Sequence, residues 1–169
     1  MNIFAITPDP IECAELLDNR RVNKMITESM QMLSMALDIN GAPSSAFAVN
    51  KSGNPYKSNK AHLKHPCTLW AAKSRENFLW LCMHTEALCD EFKLRYGHEQ
   101  HGRSNLPRMY EAAHYIPEGE LTPFAKCVDD DLKSITNVHT AYSQYMLRKW
   151  SKEDQAFLLS RINVLGRKT

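Results

Sequence analysis

The chain has 169 residues, 43% hydrophobic and 24% charged, with a net charge of +2. That length suffices for one domain with a real core, and the composition is that of an ordinary globular protein. The near balance of charge excludes the global basic field of an obligate nucleic-acid coat protein and leaves room for local basic patches.

Residues 1–6 are short and apolar, which predicts an extended segment or a short strand on the core. Asp9 and Pro10 suit the N-cap and first position of a helix. That helix is expected to reach Leu17, then to run on or bend near Asp18 into a helix ending near Asp38. Along the second part Val22, Ile26, Met30, Leu33 and Leu37 form an apolar stripe at helical spacing. Residues 40–60 read as a long loop. Its lysines lie close in sequence to His62, Lys64 and His65, so the loop is a candidate lid over an anion site. His65-Pro66 opens a second long helix with Trp70, Phe78, Leu81, Leu88 and Phe92 as its stripe and Gly97 as its C-cap. A polar loop over 97–108, a short helix at roughly 107–114 and a turn at Ile116-Pro117-Glu118-Gly119 follow. The acidic run Asp129-Asp130-Asp131 suits the N-terminus of a helix carrying Leu132, Ile135, Val138, Tyr142, Tyr145 and Met146. Ser151-Lys152-Glu153-Asp154 resembles a capping box. It precedes a last helix with Phe157, Leu158, Ile162 and Leu165 on its apolar side, and the tail Arg167-Lys168-Thr169 is expected to fray. The expected fold is mainly α: a single compact domain over 1–169 of about four to five helices with a short N-terminal extended segment.

No stretch approaches the roughly 20 apolar residues of a membrane span, and Met1-Asn2-Ile3-Phe4 lacks the features of a signal peptide. Cys13, Cys67, Cys82, Cys89 and Cys127 form an odd set without a CxxC. They predict reduced, mostly buried thiols in a cytoplasmic protein, rather than disulfides or a cysteine zinc site.

The polar face of the first long helix is the densest candidate site. At about 100° per residue, Arg20, Lys24 and Gln31 share one side, with Arg21 and Glu28 close by. Arg20, Arg21 and Lys24 suit phosphates, and Glu28 suits a general base or a stabiliser of cationic charge developing at a sugar. The bland alternative is a solvated face with a Lys24–Glu28 pair. His65 stands at a helix start, where anions bind and a histidine pKa falls, so it suits phosphate contact or proton transfer as well as a cap. His62 and Lys64 flank it as phosphate contacts. Arg75 and Asn77 are placed to reach a nucleotide, with Gln31 and Asn77 hydrogen-bonding the base. Trp70 and Trp80 are stacking candidates, although aromatics at helical spacing are more often core. His98 and His101, with Arg103, suit phosphate better than metal, because two histidines do not make a metal site. There is no P-loop, GxSxG or Rossmann glycine pattern, and no cofactor is expected.

The pattern Asp18-x-Arg20-Arg21-x-x-Lys24-x-x-x-Glu28-x-x-Gln31-x-Leu33 resembles that of small phage and bacterial pyrimidine-dimer DNA glycosylases, the endonuclease-V-like proteins. The resemblance continues in His65-Pro66 followed by Trp70, and in Ser74-Arg75-Glu76-Asn77-Phe78. With a phage-encoded subgroup it extends to Tyr96-Gly97-His98 and Thr122-Pro123-Phe124, roughly residues 1–130. The characterised phage enzyme uses the amine of its processed N-terminal residue as nucleophile, with a glutamate on its first long helix. Here Asn2 disfavours removal of Met1, so the terminal amine is expected on methionine instead of the usual small residue.

Residues and resemblance together imply a phage-encoded protein of the host cytoplasm whose partner is DNA or a small nucleotide. Recognition is expected in a cleft between the first long helix and the His65-Pro66 helix. As an enzyme it would excise or modify a DNA base, which a duplex must first flip out. The alternative is a non-catalytic nucleotide sponge or inhibitor of host defence, with Glu28 merely orienting an arginine. A homo-oligomer is compatible with either.

Overall fold

Short polar caps divide the chain more finely than its apolar stripes suggest. The computed structural model describes residues 1–56 and 59–165. Over these it forms eight α-helices joined by 3₁₀ turns and extended segments, where about four to five helices were expected.

Helix α1 (Pro10–Glu15) starts as the sequence predicts, with the Asp9 carboxylate accepting from the amides of Ile11 and Glu12. It stops short of Leu17. Asp18 turns extended and caps a new helix, accepting from the Arg21 amide at 3.1 Å. That helix, α2 (Asn19–Ile39), buries the whole stripe of Val22, Ile26, Met30, Leu33 and Leu37.

Much of the expected 40–60 loop is folded onto the core. It contains a 3₁₀ turn at Ser44–Ala46 and an isolated antiparallel bridge between Val49 and Pro55. Phe47 and Ala48 are buried, and the Ala48 amide donates to Ser34 Oγ at 3.1 Å. This part of the segment is a wall against α2 and not a lid; residues 57 and 58 lie outside the described residues. Helix α3 (Lys60–Leu63) follows and also packs on α2.

The single long helix expected after His65 is two. His65 caps α4 (Pro66–Lys73), its Nδ1 accepting from the Cys67 amide at 3.2 Å. Ser74 then turns extended and caps α5 (Arg75–Tyr96). The break exists because residues 117–122 cross the start of α5. Ser74 Oγ donates to the Glu120 carbonyl at 2.9 Å, and the Arg75 amide to the Pro117 carbonyl at 2.8 Å. Those residues run extended where a turn at Ile116–Gly119 was expected. Gly97 closes α5 in the left-handed region, as expected of a helix C-terminus.

Helix α6 (Leu106–Ala112) lies close to its expected place. Before it, Gly102 approaches α2 so closely that an added Cβ would lie 2.3 Å from Ile26 Cγ2. The acidic run caps only a 3₁₀ turn, Asp130–Leu132. The next helix, α7 (Val138–Lys149), waits for Asn137, which accepts from the Thr140 amide. Ser151 and Asp154 exchange both bonds of the capping box, at 3.2 and 3.1 Å, and start α8 (Lys152–Leu165). Leu158 is buried there, whereas Ile162 is exposed, so the expected apolar side is only partly used. The side chain of Leu165 and the tail Arg167-Lys168-Thr169 lie outside the described residues.

Helix α5 packs on α1 and α2, and α4 packs on α2, around one contiguous core that runs from Ile3 to Leu158. The N-terminal segment, expected to be extended, forms no strand and bends at Phe4, and it threads this core with Ile3 and Ala5 fully buried. Among the described residues no helix is long and apolar enough to cross a membrane.

One core contact makes stability depend on pH. His84 on α5 stacks on Trp80 and bonds through Nδ1 to the Pro10 carbonyl at 2.9 Å, while its buried Nε2 has no partner among the described residues. A carbonyl only accepts, so Nδ1 carries the proton, and charging the ring would bury an unpaired N–H. Burial accordingly pushes the His84 pKa down to about 4, and the bond to Pro10 opposes this. The folded pKa lies below the unfolded one, so the unfolded chain takes up the proton first. This contribution is fully present above the ordinary value of about 6.5 and is lost as pH falls toward about 4. Lowering the pH from 7 to 5 is expected to cost about 2 kcal/mol at this site. Urea unfolding of wild type and His84→Gln at both pH values checks it. The variant should lose most of the pH dependence, and parallel curves would remove His84 as its source.

Candidate active site

The start of the chain is folded by the Asn2 side chain. Its Oδ1 accepts from the amides of Ile3 (2.8 Å) and Phe4 (3.0 Å), and its Nδ2 donates to the Cys127 carbonyl at 2.9 Å. Phe4 takes φ +43°, a left-handed value that is uncommon outside glycine and concentrates at functional sites. The bend sets the amino group of Met1 over the polar face of α2, 3.7 Å from Glu28 Oε2. The Met1 and Glu28 side chains are 5% and 14% exposed, while residue 1 as a whole is half-buried. Glu28 Oε1 meets Lys24 Nζ at 3.0 Å. The carboxylate thus lies between two cations, which offsets the cost of desolvating it.

These groups line a cleft of about 300 Å³ together with Asn2, Phe4, Arg20, Arg21, Met25 and Tyr145. That is the low end of the range for small-molecule pockets, enough for a single compact polar group. Arg20 is exposed at its edge and makes no ion pair among the described residues. The Phe4 and Tyr145 rings lie nearly parallel with centroids 6.4 Å apart.

His65 is half-buried beside this cleft. Burial holds its pKa below the ordinary imidazole value, and the positive amine of residue 1 adds to the effect, while the Glu28 carboxylate opposes it. The ring is therefore neutral near pH 7. Because Nδ1 accepts from Cys67 N, the proton of the neutral ring sits on Nε2. Behind it Cys67 Sγ donates to Cys127 Sγ at 3.2 Å. That bond holds the Cys127 thiol below its usual pKa and raises that of Cys67.

Other residues singled out in the sequence are engaged elsewhere. Arg21 touches the cleft, but its guanidinium meets Asp18 at 2.6 Å and Asp154 at 3.5 Å and lies 4.0 Å over the Trp150 ring. It fastens the start of α2 to the junction of α7 and α8. Gln31 is half-buried beyond the cleft lining. His62 lies near His65, and Lys64 is exposed at the end of α3, so both can extend the basic rim. Asn77 cannot reach a base. It is fully buried, with Nδ2 donating to the Trp70 carbonyl (2.7 Å) and Thr122 Oγ1 (2.8 Å), and Oδ1 accepting from Thr122 N (2.8 Å). Arg75 pairs with Glu118 at 3.2 Å on the same segment. Trp70 and Trp80 are core residues in edge-to-face contact. His98 bonds to the Tyr96 carbonyl, and His101 Nε2 bonds to the Val49 carbonyl at 3.1 Å. His101 lines a separate depression with Thr27, Lys51 and Tyr56.

Two other depressions lack this chemistry. One, lined by Asp38, Phe47, Asn54 and Tyr56, is larger but has no cation in its lining among the described residues. The groove between α1 and α5 is lined by Glu15, Glu86, Asp90 and Glu91, which disfavours phosphate.

The amine of Met1 was reached only through the family resemblance, whereas Asn2 as its support, Phe4 and Tyr145 were absent from the sequence reading. Asn2 alone had a local signal, its readiness to bond nearby amides. Asn2→Leu keeps the side-chain size and a bulky second residue while removing all three bonds. It is expected to lower stability by about 1–3 kcal/mol. A loss below roughly 0.5 kcal/mol in urea unfolding would contradict that support role.

A primary amine facing a carboxylate, in a polar cleft edged by cations, defines a class of site suited to attack on an electrophilic carbon near a phosphate. The chain belongs to the pyrimidine dimer DNA glycosylase family, whose model matches residues 1–103. The match contains the amine, Glu28 and His65, and leaves Thr122-Pro123-Phe124, Cys127 and Tyr145 outside. No curated protein and no solved structure matches the chain.

Proposed function

We propose that this chain excises a damaged base from DNA by attack of its α-amine on the sugar. The observation that carries the reading is the Met1 amine 3.7 Å from Glu28 in a cation-edged cleft. Family membership supports it and makes DNA the partner.

In this mechanism the neutral amine attacks C1′ of the flipped nucleotide. The C1′–N bond to the base breaks and its electron pair leaves with the base. Glu28 accepts a proton from the nitrogen. Opening of the sugar at O4′, which takes up the proton held by Glu28, then leaves an iminium between residue 1 and C1′, stabilised by the restored carboxylate. Water hydrolyses it and restores the amine. The present separation exceeds the hydrogen-bond range, as is common before substrate tightens a site. Arg20 and Lys24 hold the flanking phosphates, and His62 and Lys64 offer further phosphate contacts. Phe4 and Tyr145 offer ring faces to the extruded base. His65 steadies residue 1.

The test incubates the protein with intact, ultraviolet-irradiated and abasic duplexes, and separately with mono-, di- and cyclic nucleotides. Base release or strand scission confined to damaged duplex supports the reading. Tight binding of a nucleotide that returns intact, with no product from any duplex, would replace it with the nucleotide-sponge alternative.

A further inference from the structure

Cys67 and Cys127 lie far apart in sequence, yet their sulfurs are 3.2 Å apart. A ring nitrogen of His65 joins them, with all three ligand atoms within 4.8 Å of one another. One imidazole and two thiols form the nitrogen-sulfur donor set that zinc favours. We propose that His65, Cys67 and Cys127 bind a single thiophilic divalent cation of the zinc class.

The geometry needs little adjustment. With Zn–S bonds of about 2.3 Å and a tetrahedral angle, two sulfurs on one ion lie about 3.8 Å apart. The pair must therefore open by roughly half an ångström. Cys67 is in the first turn of α4 and Cys127 lies on a segment outside any helix, so a small rotation of the Cys127 side chain supplies the adjustment. That segment is already tethered: the Cys127 amide donates to Tyr142 Oη at 3.1 Å, and its carbonyl accepts from Asn2 at 2.9 Å. Binding displaces both thiol protons to solvent, so the ion and two thiolates are together neutral. Three protein ligands leave a fourth position for water. The ion would fasten the 127 segment to α4, joining the family-matched part of the chain to the part beyond it. One consequence rests on the proposed function: a loaded site draws His65 away from residue 1 and slows base excision.

The test uses the full chain, reduced and freed of metal by a chelator, without DNA. Cobalt(II) is the probe. Saturation at one equivalent, with a thiolate-to-cobalt charge-transfer band and tetrahedral d–d bands that zinc abolishes, is expected. Zinc should raise the Tm of wild type. Cys127→Ser, shown to be folded by its helical circular dichroism, should lose the charge-transfer intensity and bind zinc at least about tenfold more weakly, or about 1.4 kcal/mol. Cys89→Ser, a thiol remote from this cluster, should match wild type. No charge-transfer band, or a band that persists in Cys127→Ser, would overturn the proposal. So would loss of two hydrogens as a disulfide with no metal uptake after reduction. None of these readouts involves base excision, so this site and the glycosylase reading fail separately.

Discussion

Glu28→Gln should lower the rate of base release at least about 100-fold while duplex affinity changes by no more than about twofold. The amide keeps the shape of the side chain but cannot take a proton from the amine, nor balance a cation at the sugar. The proposed phosphate contacts from Arg20 and Lys24 do not use the carboxylate, so binding should survive. The substitution also leaves the amine and Lys24 without the carboxylate between them, so some loss of stability accompanies it. Tm measured alongside single-turnover rates separates the two effects. A folded variant with a rate within about threefold of wild type would remove Glu28 from the chemistry.

Blocking the amine should be at least as damaging. One glycine placed ahead of Met1 moves the reactive nitrogen about 3.5 Å along the chain, away from its place 3.7 Å from Glu28. Misplacement by even about 1 Å costs on the order of 100-fold. Base release should fall by about that factor or more. Nα-acetylation should do the same without adding a residue, because amide resonance ties up the nitrogen lone pair. Intact-mass measurement of each preparation shows which residue carries the amine. Undiminished activity in the acetylated protein would exclude the amine as nucleophile.

What was legible in the sequence was local. The stripe of α2, the caps at Asp9 and His65, the glycine end of α5 and the Ser151–Asp154 box all depend on residues within a few positions of one another. The same holds for the Arg20, Lys24 and Glu28 face, which spans three turns of one helix. The helix breaks were obscured because apolar spacing continues across them: Trp70 and Phe78 read as one stripe although Ser74 separates their helices. Asn77 looked available because its partner, Thr122, arrives from another part of the chain. Arg21 looked like a phosphate ligand for the same reason, with Asp154 and Trp150 unseen. The approach of residue 1 to Glu28, and of Cys67 to Cys127, exists only once the N-terminal segment threads the core. Composition offered no sign of either, and the cysteines read only as inert buried thiols.

The central claim is tested most directly by reductive trapping. Borohydride added during reaction with a lesion-bearing duplex converts an iminium into a stable amine, joining protein and DNA. The account predicts a covalent adduct whose tryptic peptide Met1–Arg20 carries the sugar on the α-amine of residue 1. Lys24 is the informative competitor, since its amine lies 3.0 Å from the same carboxylate. An adduct on Lys24, or base release with no adduct at all, would contradict the account.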